Sequence, residues 1–494
     1  MLQSIEVPFG EWMPDAPPRK AGATVAKGVI AAEGAYRPIP GLTTTATSIL
    51  TARNQGARAF YDADGNVEVF AGDASKLYRL NGAVFDDKSG ATYACPSDAV
   101  WQFALYGTKV IAVNPIDNVQ FFDFDSSTTF DDLAGSPPKA RHVGRIGDFL
   151  VLGDIQTAPI RASRVQWCAI GDVENWTING TNQADYQDLS EDGGRIQGIF
   201  NVYETGFIFQ ERNITRMSYA GLPTVFQFDV VEQNQGSIVG AHAMVQHQSN
   251  IFYIGDNGFF VWNGQTSLPI SDNKVAAYFL NDLNFTYRHN IFGAFDFTNR
   301  AVWWAYPSGS NQYPDKLIIY SIKENRWTYD DSFSLESIFV IPKAGVTLDD
   351  LDSISGSLDA LPVSLDSSVW LSSAIRIGGF NRSHELVEFT GANRAATLET
   401  AEFQPEVMKR VFVNEVWPMV DDDASLTVTA QVGMRDQRLG DTLTYSSASA
   451  RNATGLCPVR SSGRFGRIRL SLPAGANWTH AEGIQVRYRT EGTR

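Results

Sequence analysis

Six histidines (His142, His242, His247, His289, His384, His480) and three cysteines (Cys95, Cys168, Cys457) are the side chains best suited to metal or nucleophilic chemistry. None falls into a ligand pattern. There is no His-Glu-x-x-His and no Cys-x-x-Cys, and only His242 and His247 are close. Five apart on a strand, they would point to opposite faces. No zinc site is therefore expected. The scattered cysteines read as reduced packing thiols. No Gly-x-Ser-x-Gly elbow and no phosphate-cradling Gly-rich Lys loop occurs. Ser190-Glu191-Asp192-Gly193-Gly194 begins like the Asp-box turn of propeller glycosidases, but its closing aromatic is missing and it does not repeat. Asp421-Asp422-Asp423 is the densest charge run and lacks EF-hand ligand spacing. It is expected to be a polar hairpin turn between Val416-Trp417-Pro418-Met419-Val420 and Leu426-Thr427-Val428. The expectation is a protein that is not an enzyme, with no catalytic, cofactor-binding or metal-binding residues and no cofactor.

The elements that would carry any site are strands. Among 494 residues, 42 Gly and 21 Pro are spread along the whole chain and separate short apolar, β-branched and aromatic runs. A unit recurs in which a polar tight turn precedes a strand. It appears at Asp64-Gly65-Asn66, Tyr106-Gly107-Thr108, Ile146-Gly147-Asp148, Glu204-Thr205-Gly206, Gln248-Ser249-Asn250 and Thr298-Asn299-Arg300. Gly and Asn tolerate the positive φ that such reversals need. Runs such as Val110-Ile111-Ala112-Val113 are apolar at successive positions, as in strands buried on both faces. Turn spacings of about 40 to 50 residues suit propeller blades, with one longer interval around Trp167 to Gly194. Gly258-Phe259-Phe260-Val261-Trp262 reads as a strand with outward aromatics, and Ser368-Val369-Trp370-Leu371 as a final blade. The fold class expected is all-β: a β-propeller of about six blades over residues 51–396, an extended N-terminal arm over 1–50 and a C-terminal antiparallel β-domain over 397–494. The Asp-rich stretch from Thr347 to Ser368 reads as a surface loop or an acidic tip.

Lys and Arg number 40 against 55 Asp and Glu, a net charge of −15. That balance disfavours a protein whose general surface grips nucleic-acid phosphates. It does not exclude a protein that lets DNA slide past, where a repulsive wall would be useful. No export signal or bilayer-spanning run is evident, so no membrane anchor is expected and the setting is a reducing cytosol.

Three stretches together resemble the tail nozzle and packaged-DNA stabilisation proteins of tailed, especially short-tailed, bacteriophages. The first is Phe9-Gly10-Glu11-Trp12-Met13-Pro14-Asp15 with Gly22 to Val29 and Gly34-Ala35-Tyr36-Arg37-Pro38-Ile39-Pro40-Gly41-Leu42. The second runs from Val165-Gln166-Trp167-Cys168 through Asn175-Trp176 and Ala184-Asp185-Tyr186 to Phe209-Gln210-Glu211-Arg212-Asn213-Ile214-Thr215-Arg216-Met217. The third is Pro473-Ala474-Gly475-Ala476-Asn477-Trp478-Thr479-His480-Ala481-Glu482-Gly483. The resemblance implies a virion structural protein, assembled in the host cytoplasm and located in the tail. Its partners would be copies of itself in a homohexameric ring, the portal adaptor, and tail spike, fibre or plug proteins. DNA would pass through the ring without sequence-specific binding. The alternative is a receptor- or glycan-binding propeller at the tail tip.

Overall fold

A computed structural model describes residues 3–17, 20–342, 375–407, 409–422, 427–437 and 442–492. The Asp-rich stretch and the expected final blade at Ser368 to Leu371 lie outside the described residues. The described chain is nearly all-β, with one seven-residue α-helix (Ala276–Asp282) and three 3-10 turns.

Its propeller-like part consists of seven four-stranded antiparallel meanders. Five follow one another over residues 57–87, 102–132, 140–188, 196–233 and 245–269, and a sixth covers 292–330. All six polar turns read from the sequence join the first and second strands of these six meanders. The seventh is built from both ends of the region. Leu335–Ile341, Arg376–Asn381 and Glu385–Asn393 supply three strands, and Pro40–Ile49 supplies the fourth. First strands contact one another from the first meander to the fourth, and from the fifth through the seventh back to the first. The turn Ala241–Ala243, between the fourth and fifth in sequence, contacts the first strands of the fourth and the sixth.

Alternating burial does not describe the second strands. Phe149–Ile155 and Ala301–Tyr306 are buried at every position, because neighbouring sheets cover both faces. The aromatics at Phe259, Phe260 and Trp262, expected to face outward, are also buried. A strand between two packed sheets has no outward face.

Residues 3–38 are not a free extended arm in this fold. Gln3–Pro8 pairs with the last strand, Trp478–Gly492, which also pairs along Arg410–Asp422. Val29–Ala32 and Ala35–Pro38 form a hairpin on the same sheet. Ala23–Lys27 joins a second sheet by pairing with Ala396–Thr400, which continues through Phe465–Leu472 to Thr429–Arg435. That second sheet is continuous with the sixth meander, since Lys27 pairs in parallel with Tyr329. The two sheets share one core that includes Val29, Tyr36, Val413, Val432, Ile468 and Ile484. The C-terminal β-domain is thus completed by N-terminal strands rather than standing separately. Of the Asp421 run, Asp421 and Asp422 continue the strand Arg410–Asp422, and the Asp422 carboxylate pairs with Arg451 at 2.8 Å. Asp423 and the rest of the expected turn, 424–426, lie outside the described residues.

Candidate functional site

The seven first strands enclose a central channel of about 600 Å³. At the N-terminal ends of those strands it adjoins a smaller polar cavity of about 220 Å³. The two spaces differ in chemistry.

The polar mouth is organised around Asp154, which is 1% exposed. It accepts from Arg195 Nη2 at 2.8 Å, with Arg141 Nε at 3.7 Å. Burial raises the Asp154 pKa, and the two guanidiniums oppose that shift. A carboxylate held this way is costly to orphan. His142 lies beside the pair, and its Nδ1 is 3.0 Å from Gln102 Nε2. Burial, and next the Arg141 charge, push its pKa down to about 3. His242 Nε2 sits 2.8 Å from the His289 carbonyl. A carbonyl only accepts, so Nε2 carries the proton and donates. Burial pushes His242 down to about 4, and His289 is lowered by the same cause.

A second buried carboxyl, Glu336, accepts the Asn54 N–H at 2.8 Å and lies 2.8 Å from His384 Nδ1. Burial raises its pKa. Arg53 donates to Asn290 Oδ1 and to the Ser97 carbonyl, both at 2.8 Å. Four of the six histidines therefore gather at or beside one end of the channel, although no sequence pattern links them. Their common signal is position: His142, His242 and His289 each fall within or just before a first strand of the repeat. His247 does not join them and instead stacks on Phe295 at 3.9 Å. His480 lies on the two-sheet unit, 3.1 Å from Arg37 Nε.

Neutral imidazoles and paired guanidiniums make this mouth a hydrogen-bonding surface. Among the described residues, no group of three His, Cys, Asp or Glu is placed to hold a metal ion. The three cysteines are buried and free, and burial pushes their thiols up, Cys95 to about 12. Ser190 to Gly194 forms a 3-10 turn tied down by Gln210 Nε2, which donates to the Ser190 and Gly194 carbonyls.

The depressed histidines give the mouth a predictable pH response. A group protonated in the unfolded chain but neutral in the folded one contributes stability above its unfolded pKa, near 6.5. That contribution is lost as pH falls toward the folded values of about 3 for His142 and about 4 for His242. The raised carboxyls of Asp154 and Glu336 act in the opposite sense. His142→Gln is expected to flatten the fall in stability between pH 6.5 and pH 4, measured by urea denaturation at a series of pH values. An unchanged slope would show that His142 takes up its proton alike in the folded and the unfolded chain.

Beyond the mouth, the channel wall combines the apolar Phe103, Ile199, Phe200, Met244, Phe292 and Phe339 with polar groups such as Asn201 and Gln246. Its charged lining residues are Arg58 and Arg145, and no described Asp or Glu lines it. Arg145 donates to the Gly147 carbonyl at 2.9 Å and lies 3.6 Å from Asp148 at the far rim. Arg58 Nη1 donates to the Phe103 carbonyl at 2.7 Å, and its guanidinium lies 5.3 Å from the Phe60 ring centre.

No protein-family model matches this chain, and no curated protein matches it. Among solved structures it is similar to the computationally designed protein Ika8, at 9% identity and a TM-score of 0.36, over 74% of this chain and 96% of that one. It is also similar to BamB from Moraxella catarrhalis, at 9% identity and a TM-score of 0.37, over 78% of this chain and 97% of that one.

Proposed function

We propose that the chain is a structural protein of a bacteriophage tail rather than an enzyme. In this reading its seven meanders are the blades of a propeller. Copies of the chain close into a ring, six by the family resemblance, beneath the portal adaptor, conduct DNA and anchor spikes, fibres or a plug.

The observation that carries the reading is where the three resembling stretches fall. They hold joints of the fold. Trp12 stacks on Tyr329 at 4.6 Å and meets Tyr278 edge-on at 5.1 Å, locking the N-terminal residues against the sixth meander. Asp15 accepts from the Ala277 and Tyr278 N–H groups at the start of the only α-helix among the described residues. Trp167 packs on Phe226, tying the third meander to the fourth. Trp478 is 2% exposed at the start of the last strand. Residues that a family resemblance shares for architecture, rather than for a reacting centre, suit a structural part.

Two further features support the reading. The third and fourth meanders carry exposed apolar side chains, Ile160 at 60% at one end of the strands and Leu222 at 54% and Tyr219 at 51% at the other. A neighbour in a ring would cover them. The channel within one chain is of small-molecule size. A DNA conduit must therefore lie between copies, where the net charge of −15 would repel phosphates. Electron microscopy and light scattering of the purified protein, alone and with its adaptor, test the reading. A closed ring with an open bore is expected. A particle that stays monomeric with the adaptor present, and is missing from virions, would overturn it.

A further inference from the structure

We propose that the central channel is a binding site for an amphipathic monoanion, an aliphatic carboxylate whose acid group meets Arg58 and whose chain lies along the apolar wall. This site is independent of the ring assembly.

The first argument is charge. The chain has 15 more acidic than basic residues, yet no described acidic side chain lines the channel and two arginines do. The second is the state of Arg58. The side chain is exposed where it lines the channel, and the protein packed around that channel lowers its pKa by desolvation. A guanidinium has five N–H donors, and one contact, to the Phe103 carbonyl, is formed with protein. No carboxylate among the described residues lies within ion-pair distance of it. The Phe60 face offsets part of the cost of an enclosed cation, but only part. An anion arriving from solution would supply what the fold leaves out.

The third argument is shape. The volume, about 600 Å³, sits within the roughly 300–1,000 Å³ usual for small-molecule sites. Arg58 stands near the polar end, on the strand beside Gln102 and Phe103, so the acid group would be held near the mouth. The wall continues past Ile199, Phe292 and Phe339, with Met244 as an adaptable surface for a chain. A phosphodiester backbone would find only two cations here, one of them already beside Asp148, a poor match for a run of phosphates. A bare anion such as chloride would leave that wall unused.

The test uses the full chain. Native mass spectrometry checks first for a carboxylic acid carried through purification, and dodecanoate is then titrated calorimetrically. A retained acid, or a one-to-one dodecanoate isotherm, is expected. Dodecanol and acetate should each bind at least tenfold more weakly. Arg58→Met should lose at least tenfold in dodecanoate affinity, and Arg58→Lys should keep most of it. Arg58→Met should also raise the unfolding midpoint of the ligand-free protein, because it removes a channel cation that no described carboxylate pairs with. Neither a retained acid nor an isotherm, equal affinity in Arg58→Met, equal binding of dodecanol, or a lowered midpoint in Arg58→Met would overturn the assignment.

Discussion

Trp304→Ala lowers stability by about 3–5 kcal/mol, the range for deleting a buried aromatic. Trp304 is fully buried in the second strand of the sixth meander. It packs on Phe259 at 4.6 Å and stacks with Trp327 at 6.0 Å. Its indole N–H also donates to the Ala243 carbonyl at 2.9 Å, in the turn that follows the fourth meander in sequence. Alanine would leave a cavity and an unpaired buried carbonyl together, so the cost belongs at the upper end. Guanidinium denaturation followed by tryptophan fluorescence and by circular dichroism should show the midpoint falling by both probes. A shift under about 1 kcal/mol would mean that the site collapses around the deletion, against the close packing of this core.

A chain that begins at residue 51 is expected not to reach a stable folded state. Two readings of residues 1–50 make opposite forecasts. An arm that only reaches toward a neighbour could be cut without loss to the body. The strand pairing instead makes these residues the fourth strand of the seventh meander and part of both sheets of the terminal unit. Cutting them removes Val29, Ile30, Tyr36 and Ile39, all 1% exposed or less. At about 1.5–3 kcal/mol for each large apolar side chain, the loss rivals the roughly 5–15 kcal/mol that holds a typical domain together. The truncated chain should be insoluble or lack cooperative unfolding. Co-expression of residues 1–50 as a separate peptide should restore soluble protein. A soluble, cooperatively folding 51–494 would refute the pairing.

Much of the repeat was legible because its punctuation is local. Each of the six turns, from Asp64-Gly65-Asn66 to Thr298-Asn299-Arg300, needs residues that accept a tight reversal, and the strand after it is apolar at successive positions. The seventh meander escapes this reading for two physical reasons. Its first and second strands are joined by residues 342–375 rather than by a tight turn, and its fourth strand comes from residues some 340 positions earlier. Local periodicity carries no record of which distant strands pair. The same limit explains the misplaced domain boundary at residue 50, since Pro40–Ile49 looks extended whether or not it has a partner.

The channel mouth was illegible for a related reason. Motif spacing registers ligands on one element, whereas His142, His242, His289 and His384 come from four different parts of the circle. Counting each residue from its repeat's turn, rather than from its neighbour in sequence, would have placed the first three together. Arg58 could be read only as one basic residue among 40 until the fold placed it in a channel that no described acid lines.

The pairing of Gln3–Pro8 with Trp478–Gly492 also sets a timetable. The earliest of these strands to leave the ribosome has to wait for the latest, some 475 residues behind it. At roughly 5–20 residues per second that wait is about 25–95 s, during which the sheet edge meant for it does not exist. Translation must pass Gly492 before this sheet can be sealed, so a nascent polypeptide stalled short of that strand would hold well-made meanders and an open seam.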